Sequence, residues 1–554
     1  MKKTITFLLL IIYLFASLCG CSELAVAPSD EISSNTAELN KSTSDTISLL
    51  YSSKDSLDPF TCVTEQNANL SQLIFDPLLI INNQYEIEYR LAESVDVNNS
   101  KCTIKLINAK FSDGSSVTAN DVVFSFNKAK NSKTTRHSTA LKYAISAIAE
   151  DSNTIIIPLK RNDPYFANLL TFPIMKKDSD KLKDTDNQAL VPIGAGRYVF
   201  DNHTATLTLN PNYYGAVSVI KNIQTVDCPD NESVNQAINA GMVDHYFSDL
   251  SGNTIPKMNG NTVGISQNRI VFLGVNPKNH QLSNSLFRQV LSSALDRQEI
   301  CKSAYYGNAT PALGPVPSIW KDVDGMLSIQ NSSNIEIAKN NIELAGFNKK
   351  DSNGFYLLKN NSPITFTLLV NSNNNSRLLA ANIITKTLEN VGIKIKINSV
   401  SENQYYSMLR NGNYDLYLGE IRYEDNFDIS GLISLDSAFK FLPNNNSNNN
   451  EKKESSSKFS SKATISNNSS SSNSNLSSVE EIIAPGEITL TSIDAYNGFY
   501  NGDYKLQDLI TAFNAELPVI PICFKNGMVI YSDKFGNGIT PSRTELFHGI
   551  QYLK

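Results

Sequence analysis

Two rhythms of apolar residues divide this chain into elements. Short apolar runs with period-two alternation, or with turn residues at their ends, predict strands. They lie at Thr46–Tyr51 (TISLLY), Ile155–Ile157, Tyr198–Phe200, Val271–Pro277 (VFLGVNP), Ile364–Val370, Ile393–Ile397 (IKIKI) and Tyr414–Ile421 (YDLYLGEI). Apolar residues at helical spacing predict helices over Ala68–Leu79, Ala237–Asp244, Leu286–Ile300, Ile337–Leu344, Leu378–Val391 and Leu506–Phe513. The first of these turns Leu70, Leu73, Ile74 and Leu78 inward. Both rhythms meet in Lys105–Phe126 (KLINAKFSDGSSVTANDVVFSF). There a strand runs into a Ser112-Asp113-Gly114 turn, and Thr118 followed by Asp121 has the spacing of a helix capping box. Val122, Val123 and Phe126 then form one apolar stripe of a helix. Strands alternating with helices over such a length indicate α/β lobes.

A chain of 554 residues has room for about three to four domains, or two large lobes. Its 41% hydrophobic and 18% charged residues describe a globular protein with a large core. A formal net charge of -6 gives no support to a nucleic-acid partner. Five histidines, far apart, disfavour a histidine-built metal site, and no cofactor is expected. G-x-S-x-G, H-E-x-x-H and Walker A strings are absent, so the chain does not read as an enzyme. Gly194-Ala195-Gly196 lacks the third glycine and the following helix of a dinucleotide loop; Tyr198–Phe200 reads as the strand after a turn instead. None of the seven cysteines forms a C-x-x-C pair, and most read as small buried apolar residues.

Lys2 and Lys3 followed by the apolar run Ile5–Leu18 mark residues 1–21 as a targeting segment. Its end, Leu18-Cys19-Gly20-Cys21, resembles the lipobox of bacterial lipoproteins, which implies lipidation of Cys21. Residues 22–45 are polar and read as a flexible tether. Residues 444–478 are dominated by Asn and Ser and cannot bury enough surface to offset their ordering entropy, so a disordered insert is expected there.

Nine motifs in order resemble the oligopeptide/nickel-type family of bacterial extracellular solute-binding proteins, family 5. Besides KFSDGSSVTANDVVFSF they include SLDPF at 56–60, PIGAGRY at 192–198, VFLGVNP at 271–277 and FRQVLSSALDR at 287–297. GPVP at 314–317, AKNNIELAGF at 338–347, GIKIKI at 392–397 and YDLYLGE at 414–420 continue the series. The resemblance implies a two-lobed α/β fold of the periplasmic-binding-protein type, with a ligand cleft between lobes and an extra subdomain in lobe I. Lobe I would comprise 46–270 plus 528–554, with 76–190 as the extra subdomain, and lobe II 271–527. It implies a monomeric capture subunit on the extracytoplasmic face of the cell membrane, delivering a short peptide or other small solute to ABC transporter permeases. Nickel or another metal chelate, haem, or a peptide signal sensed without transport are the alternative ligands and role. In such proteins the loop after SLDP pairs with the ligand backbone; here it holds Cys62, Val63, Thr64 and Glu65. An Asp beyond the YDLYL strand, in a Trp-x-x-Asp context, holds the peptide ammonium. This chain has no Trp there and reads Glu420-Ile421-Arg422-Tyr423-Glu424-Asp425-Asn426-Phe427-Asp428. Asp425 or Asp428 is the candidate carboxylate, Arg422 a candidate reader of a carboxylate, and Glu420 lies in the same stretch. Trp320, the only Trp, is assigned to packing.

Overall fold

The structure is a computed structural model that describes residues 46–134, 137–250, 257–323, 325–327, 334–433, 490–536 and 539–553. The targeting segment with Cys21, the tether and the insert at 444–478 lie outside these residues. Strand β1 (Thr46–Tyr51) is the edge of a four-stranded sheet continued by β10 (Asn222–Asp227), β9 (Thr206–Leu209) and β8 (Tyr198–Asp201). β1 runs parallel to β10, and the other pairs are antiparallel. Gly194 and Gly196 precede β8 because the chain there passes directly over the backbone of Ile74. A Cβ on Gly194 would lie 2.0 Å from the Ile74 carbonyl oxygen. The paired glycines therefore serve close packing.

A second antiparallel sheet has the order β4 (Ala92–Asn98), β5 (Lys101–Leu106), β7 (Thr154–Pro158), β6 (Ile148–Ala149). β5 leads through the Gly114 turn, at φ +84°, into the helix Ala119–Asn131. Its capping box forms as the spacing predicts: the Thr118 backbone N–H and hydroxyl donate to Asp121 Oδ2 at 2.9 and 2.6 Å. Val122, Phe126 and Ala129 are buried on its inner face. A hairpin of β2 (Leu79–Ile81) and β3 (Ile87–Tyr89) receives the C-terminal tail. Thr544 closes a two-way bond with Ile81, Leu546 N–H donates to Gln72 Oε1, and Glu545 pairs with Arg90 at 2.6 Å.

The largest sheet runs β11 (His245–Ser248), β17 (Val519–Tyr531), β12 (Asn261–Val275), β16 (Leu416–Arg422), β14 (Thr365–Asn371), β15 (Lys394–Val400). The short β13 (Ala309–Pro311) also pairs with β17. Helices Ser285–Ala294, Ile335–Leu344 and Asn375–Val391 contribute Leu291, Ile342 and Ile384 to an apolar core shared with Leu273, Leu368, Leu416 and Ile520. Where β12 passes β17 the ladder slips between Ser266 and Arg269, leaving Gln267 and Asn268 as a bulge with Asn268 at φ +51°. A second slip faces Pro521, a residue that has no N–H to give the ladder.

Several expected elements move. The helix expected at 68–79 occupies Glu65–Ser71, and Leu79–Ile81 is a strand; Asp76-Pro77 cannot continue a helix. The one expected at 237–244 is Asn231–Asn239, started by Asp230 and followed by Gly241 at φ +66°. The helix expected at 286–300 breaks after Ala294, because Asp296 accepts from Glu299 N–H and starts a new turn. Trp320 is buried against Phe427 and Tyr165, with ring centroids 4.4 and 4.8 Å away. Cys62, Cys102, Cys228, Cys301 and Cys523 are all buried and none is disulfide-bonded.

Candidate functional site

The first wall of the site comes from the SLDP turn. Asp55 Oδ2 accepts from Val63 N–H, Thr64 N–H and the Thr64 hydroxyl at 2.9, 2.8 and 2.7 Å. Burial pushes the Asp55 carboxyl up, but these hydrogen bonds outweigh it and leave it below its ordinary value. The turn is pinned to the Glu65–Ser71 helix by buried Asn67, whose amide bonds Ser52 in both directions and donates to Asp55 and Ser56 carbonyls. Thr64 ends at the N-cap position, and Val63 is left 72% exposed beside it.

The β12 bulge supplies the second wall. Asn268, fully buried, carries its backbone carbonyl to Tyr423 N–H and its side chain to Asp425 and Tyr85. Just past the bulge, Arg269 stands opposite Arg422 in the β12–β16 register. Like charges so placed repel, and each needs a counter-ion. Arg269 finds Glu420 at 3.2 Å and Asp249 at 3.9 Å, whereas Arg422 is exposed and makes no side-chain bond to another described residue.

Between these walls lies a cavity of about 460 Å³. Val63, Glu65, Arg422 and Asp425 line it, together with Arg269, Gln267, Arg543 and His137. The buried Gln267 amide nitrogen has no hydrogen-bond partner among the described residues. Asp76, also on the wall, accepts from the Tyr214 hydroxyl at 2.5 Å and from Tyr213 at 3.2 Å. Burial pushes the Asp76 carboxyl up to about 6 even so.

Thr64, Glu420 and Asp428 are not on the lining. Glu420 lies partly buried, its side chain 10% exposed, within a cluster of Arg269, Arg377 at 3.1 Å and Lys525 at 3.6 Å. Burial would raise its carboxyl, but Arg377 and Lys525 outweigh that and hold it below its ordinary value. Asp428 meets Lys142 and Arg161, each at 3.1 Å, and accepts from the Tyr496 hydroxyl at 2.8 Å. Asp425 Oδ1 accepts from Asn268 Nδ2 at 2.9 Å and from the Arg543 guanidinium. Sequence reasoning missed Arg269, Gln267, Asp76 and Arg543. A charged residue heading the VFLGVNP strand was the available signal for Arg269; nothing local marks Arg543.

The model of bacterial extracellular solute-binding proteins, family 5 (middle part), matches residues 86–440. An ABC transporter peptide-binding protein of Brucella ovis is 25% identical over 355 residues, 60% of this chain and 64% of that protein. The match thus spans less than two thirds of that relative's length. The oligopeptide-binding protein AppA of Bacillus subtilis is 24% identical over 381 residues, 63% of this chain and 68% of that protein. A structure of the nickel ABC transporter of Bacillus halodurans superposes with a TM-score of 0.66 at 18% identity, covering 91% of this chain and 99% of that one. This likeness carries the two-lobed α/β fold of substrate-binding proteins. On the extent of the family match, the chain belongs to the bacterial extracellular solute-binding proteins of family 5.

Proposed function

We propose that this chain captures a short peptide in the cavity and delivers it to an ABC importer, held at the extracytoplasmic membrane face by a lipid on Cys21. The observation that carries the reading is the charge arrangement of the cavity. The Arg422 guanidinium, which makes no side-chain bond to another described residue, faces the same roughly 460 Å³ space as the carboxylates Glu65 and Asp76 and the exposed Val63 loop. That volume is in the range that takes a small organic ligand, and extended peptides add backbone pairing to charge contacts. In this reading Val63, Glu65 and Arg422 touch the ligand, Asp425 stands on the cavity wall beside them, and Thr64, Glu420 and Asp428 brace the walls. The lobes would be 46–270 with 528–554, and 271–527, changing over near the bulge where β12 slips against β17. The family membership and the names of the relatives support binding and transport over catalysis.

A thermal-shift screen of the mature chain against di- to hexapeptides tests this. A ligand at a hundred times its Kd should add about 2.7 kcal/mol of apparent stability. His137 on the cavity wall favours a second reading, a metal chelate held by one imidazole and the cavity charges. If nickel chelates raise the melting temperature and no peptide does, the second reading replaces the first. Loss of peptide uptake in a deletion strain, and release of the protein from membranes on Cys21→Ala, test delivery and anchoring.

A further inference from the structure

We propose that Arg543 is a resident counter-ion occupying Asp425 in place of a ligand ammonium, so that the cavity selects its ligand by a carboxylate held at Arg422. This rests on the peptide reading above and concerns which end of the peptide is recognised. Asp425 is a buried carboxylate on the cavity wall, and its Oδ1 already accepts from the Arg543 guanidinium and from Asn268. Neither partner is free to leave. Asn268 sits fully buried in the left-handed region, with Tyr85 bonding its amide oxygen at 2.9 Å. Arg543 follows the buried Ser542 and precedes Thr544, which is tied in both directions to Ile81 at 2.8 and 2.9 Å. An incoming ammonium would have to expel the Arg543 guanidinium from Asp425 and leave it beside the like-charged Arg422 with only Glu424 nearby as a carboxylate among the described residues, an exchange that breaks an established pair to make an equivalent one.

The opposite holds at Arg422. It lies on the same wall, exposed, with no side-chain bond to another described residue, and in register with Arg269. Nearby Glu424 accepts from the Thr139 hydroxyl at 2.7 Å, and Glu420 is committed to Arg269, Arg377 and Lys525. A ligand carboxylate at Arg422 gains a charge-assisted, bidentate contact and relieves the repulsion between the two arginines. The ligand class is therefore a peptide, or peptide-like solute, with a free carboxylate and no need of a free amine; N-acylated forms are accepted.

The test is isothermal titration of the mature chain with the best peptide from the screen in free, N-acetylated and C-amidated forms. Acetylation should change Kd by less than about threefold, and amidation should weaken it by about tenfold or more. Arg422→Gln should remove the difference between acid and amide, and Arg543→Gln should make acetylation cost about fivefold or more. A wild-type protein that loses about tenfold on acetylation overturns the inference, as does an unchanged acid-to-amide ratio in Arg422→Gln. If no form binds, the peptide reading has failed, and the resident ion is judged without ligand. Asp425→Asn, Arg543→Gln and the double variant should then show strongly non-additive losses of melting temperature, and additive losses would overturn it.

Discussion

Replacing Asp428 by Asn tests whether this carboxylate is a brace. Its side chain is 4% exposed and meets two cations, Lys142 and Arg161, each at 3.1 Å. Tyr496 donates to it at 2.8 Å, and Ser430 N–H at 3.1 Å. Burial alone would raise the Asp428 carboxyl, but Lys142 and Arg161 outweigh it and bring it down to about 2. Against an ordinary value of 3.8, that displacement corresponds to about 2.5 kcal/mol of folded-state stabilisation. Because the folded value is depressed, the contribution is present above the unfolded value of 3.8 and is lost as pH falls through about 2. Asp428→Asn keeps the shape and an acceptor for Tyr496, so it removes mainly the charge. Arg161 would stay stacked between Tyr143 and Tyr500, at 3.7 and 3.6 Å from the ring centroids, but would lose its carboxylate. Urea unfolding near pH 7 should show a loss of about 2–3 kcal/mol with an unchanged m-value. The gap between wild type and variant should close as pH is lowered from about 4 to about 2. A loss below about 0.5 kcal/mol near pH 7, or a gap that persists at low pH, would refute the assignment.

Three further outcomes follow from the same packing. Glu420→Gln should cost about 3 kcal/mol in chemical denaturation, because Arg269, Arg377 and Lys525 lose their shared carboxylate; weaker ligand binding should accompany it as Arg269 loses its alignment. Gly194→Ala should cost more than about 3 kcal/mol, since its Cβ meets the Ile74 carbonyl at 2.0 Å, whereas Gly241→Ala, with open space and φ +66°, should cost only about 1 kcal/mol; comparing the melting temperatures checks both. Burial between Phe547 and Phe535 pushes the His245 imidazole down from 6.5 to about 4, so the wild type should lose about 3 kcal/mol as pH falls across that interval, when the unfolded chain gains a proton and the folded one does not. His245→Phe should remove that loss in a pH series of urea melts, and an identical pH profile would count against it.

Much of the fold is legible in the sequence wherever one face of an element is buried and the other is wet. The Ala119–Asn131 helix has its cap, its apolar stripe and its turn in one local string, and each forms. Legibility ends where burial is two-sided. Leu73, Ile74, Phe75 and Leu78–Ile81 are all buried, so their spacing fits a helix as well as the turn and strand they adopt. The helices Glu402–Asn411 and Ser492–Asn501 escaped for the opposite reason. Their inner faces rely on tyrosines as well as Leu409 and Phe499, which lowers the apolar contrast, although Gly412 at φ +68° and Gly502 at φ +87° close them.

The candidate site is less legible because partners, not residue types, assign its charges. Asp425 and Asp428 sit in one short loop, both buried, and local sequence cannot tell them apart. What separates them is which cation reaches each from a distant segment. Arg543, carried in by a tail docked on β2, meets Asp425 at the cavity wall. Lys142 and Arg161 meet Asp428 away from the lining. Arg269 and Arg422 divide in the same way: one has Glu420 and Asp249 as counter-ions, and the other is left facing the cavity. The β12 bulge makes that division possible. By slipping the ladder between Ser266 and Arg269 it turns Asn268 onto Asp425 while leaving Arg269 in register with Arg422. A chain without the slip would present residue 268 to the ladder and lose Asn268's bond to Asp425. Asp425 would then rest on Arg543 alone, and a ligand ammonium would compete for it on more equal terms.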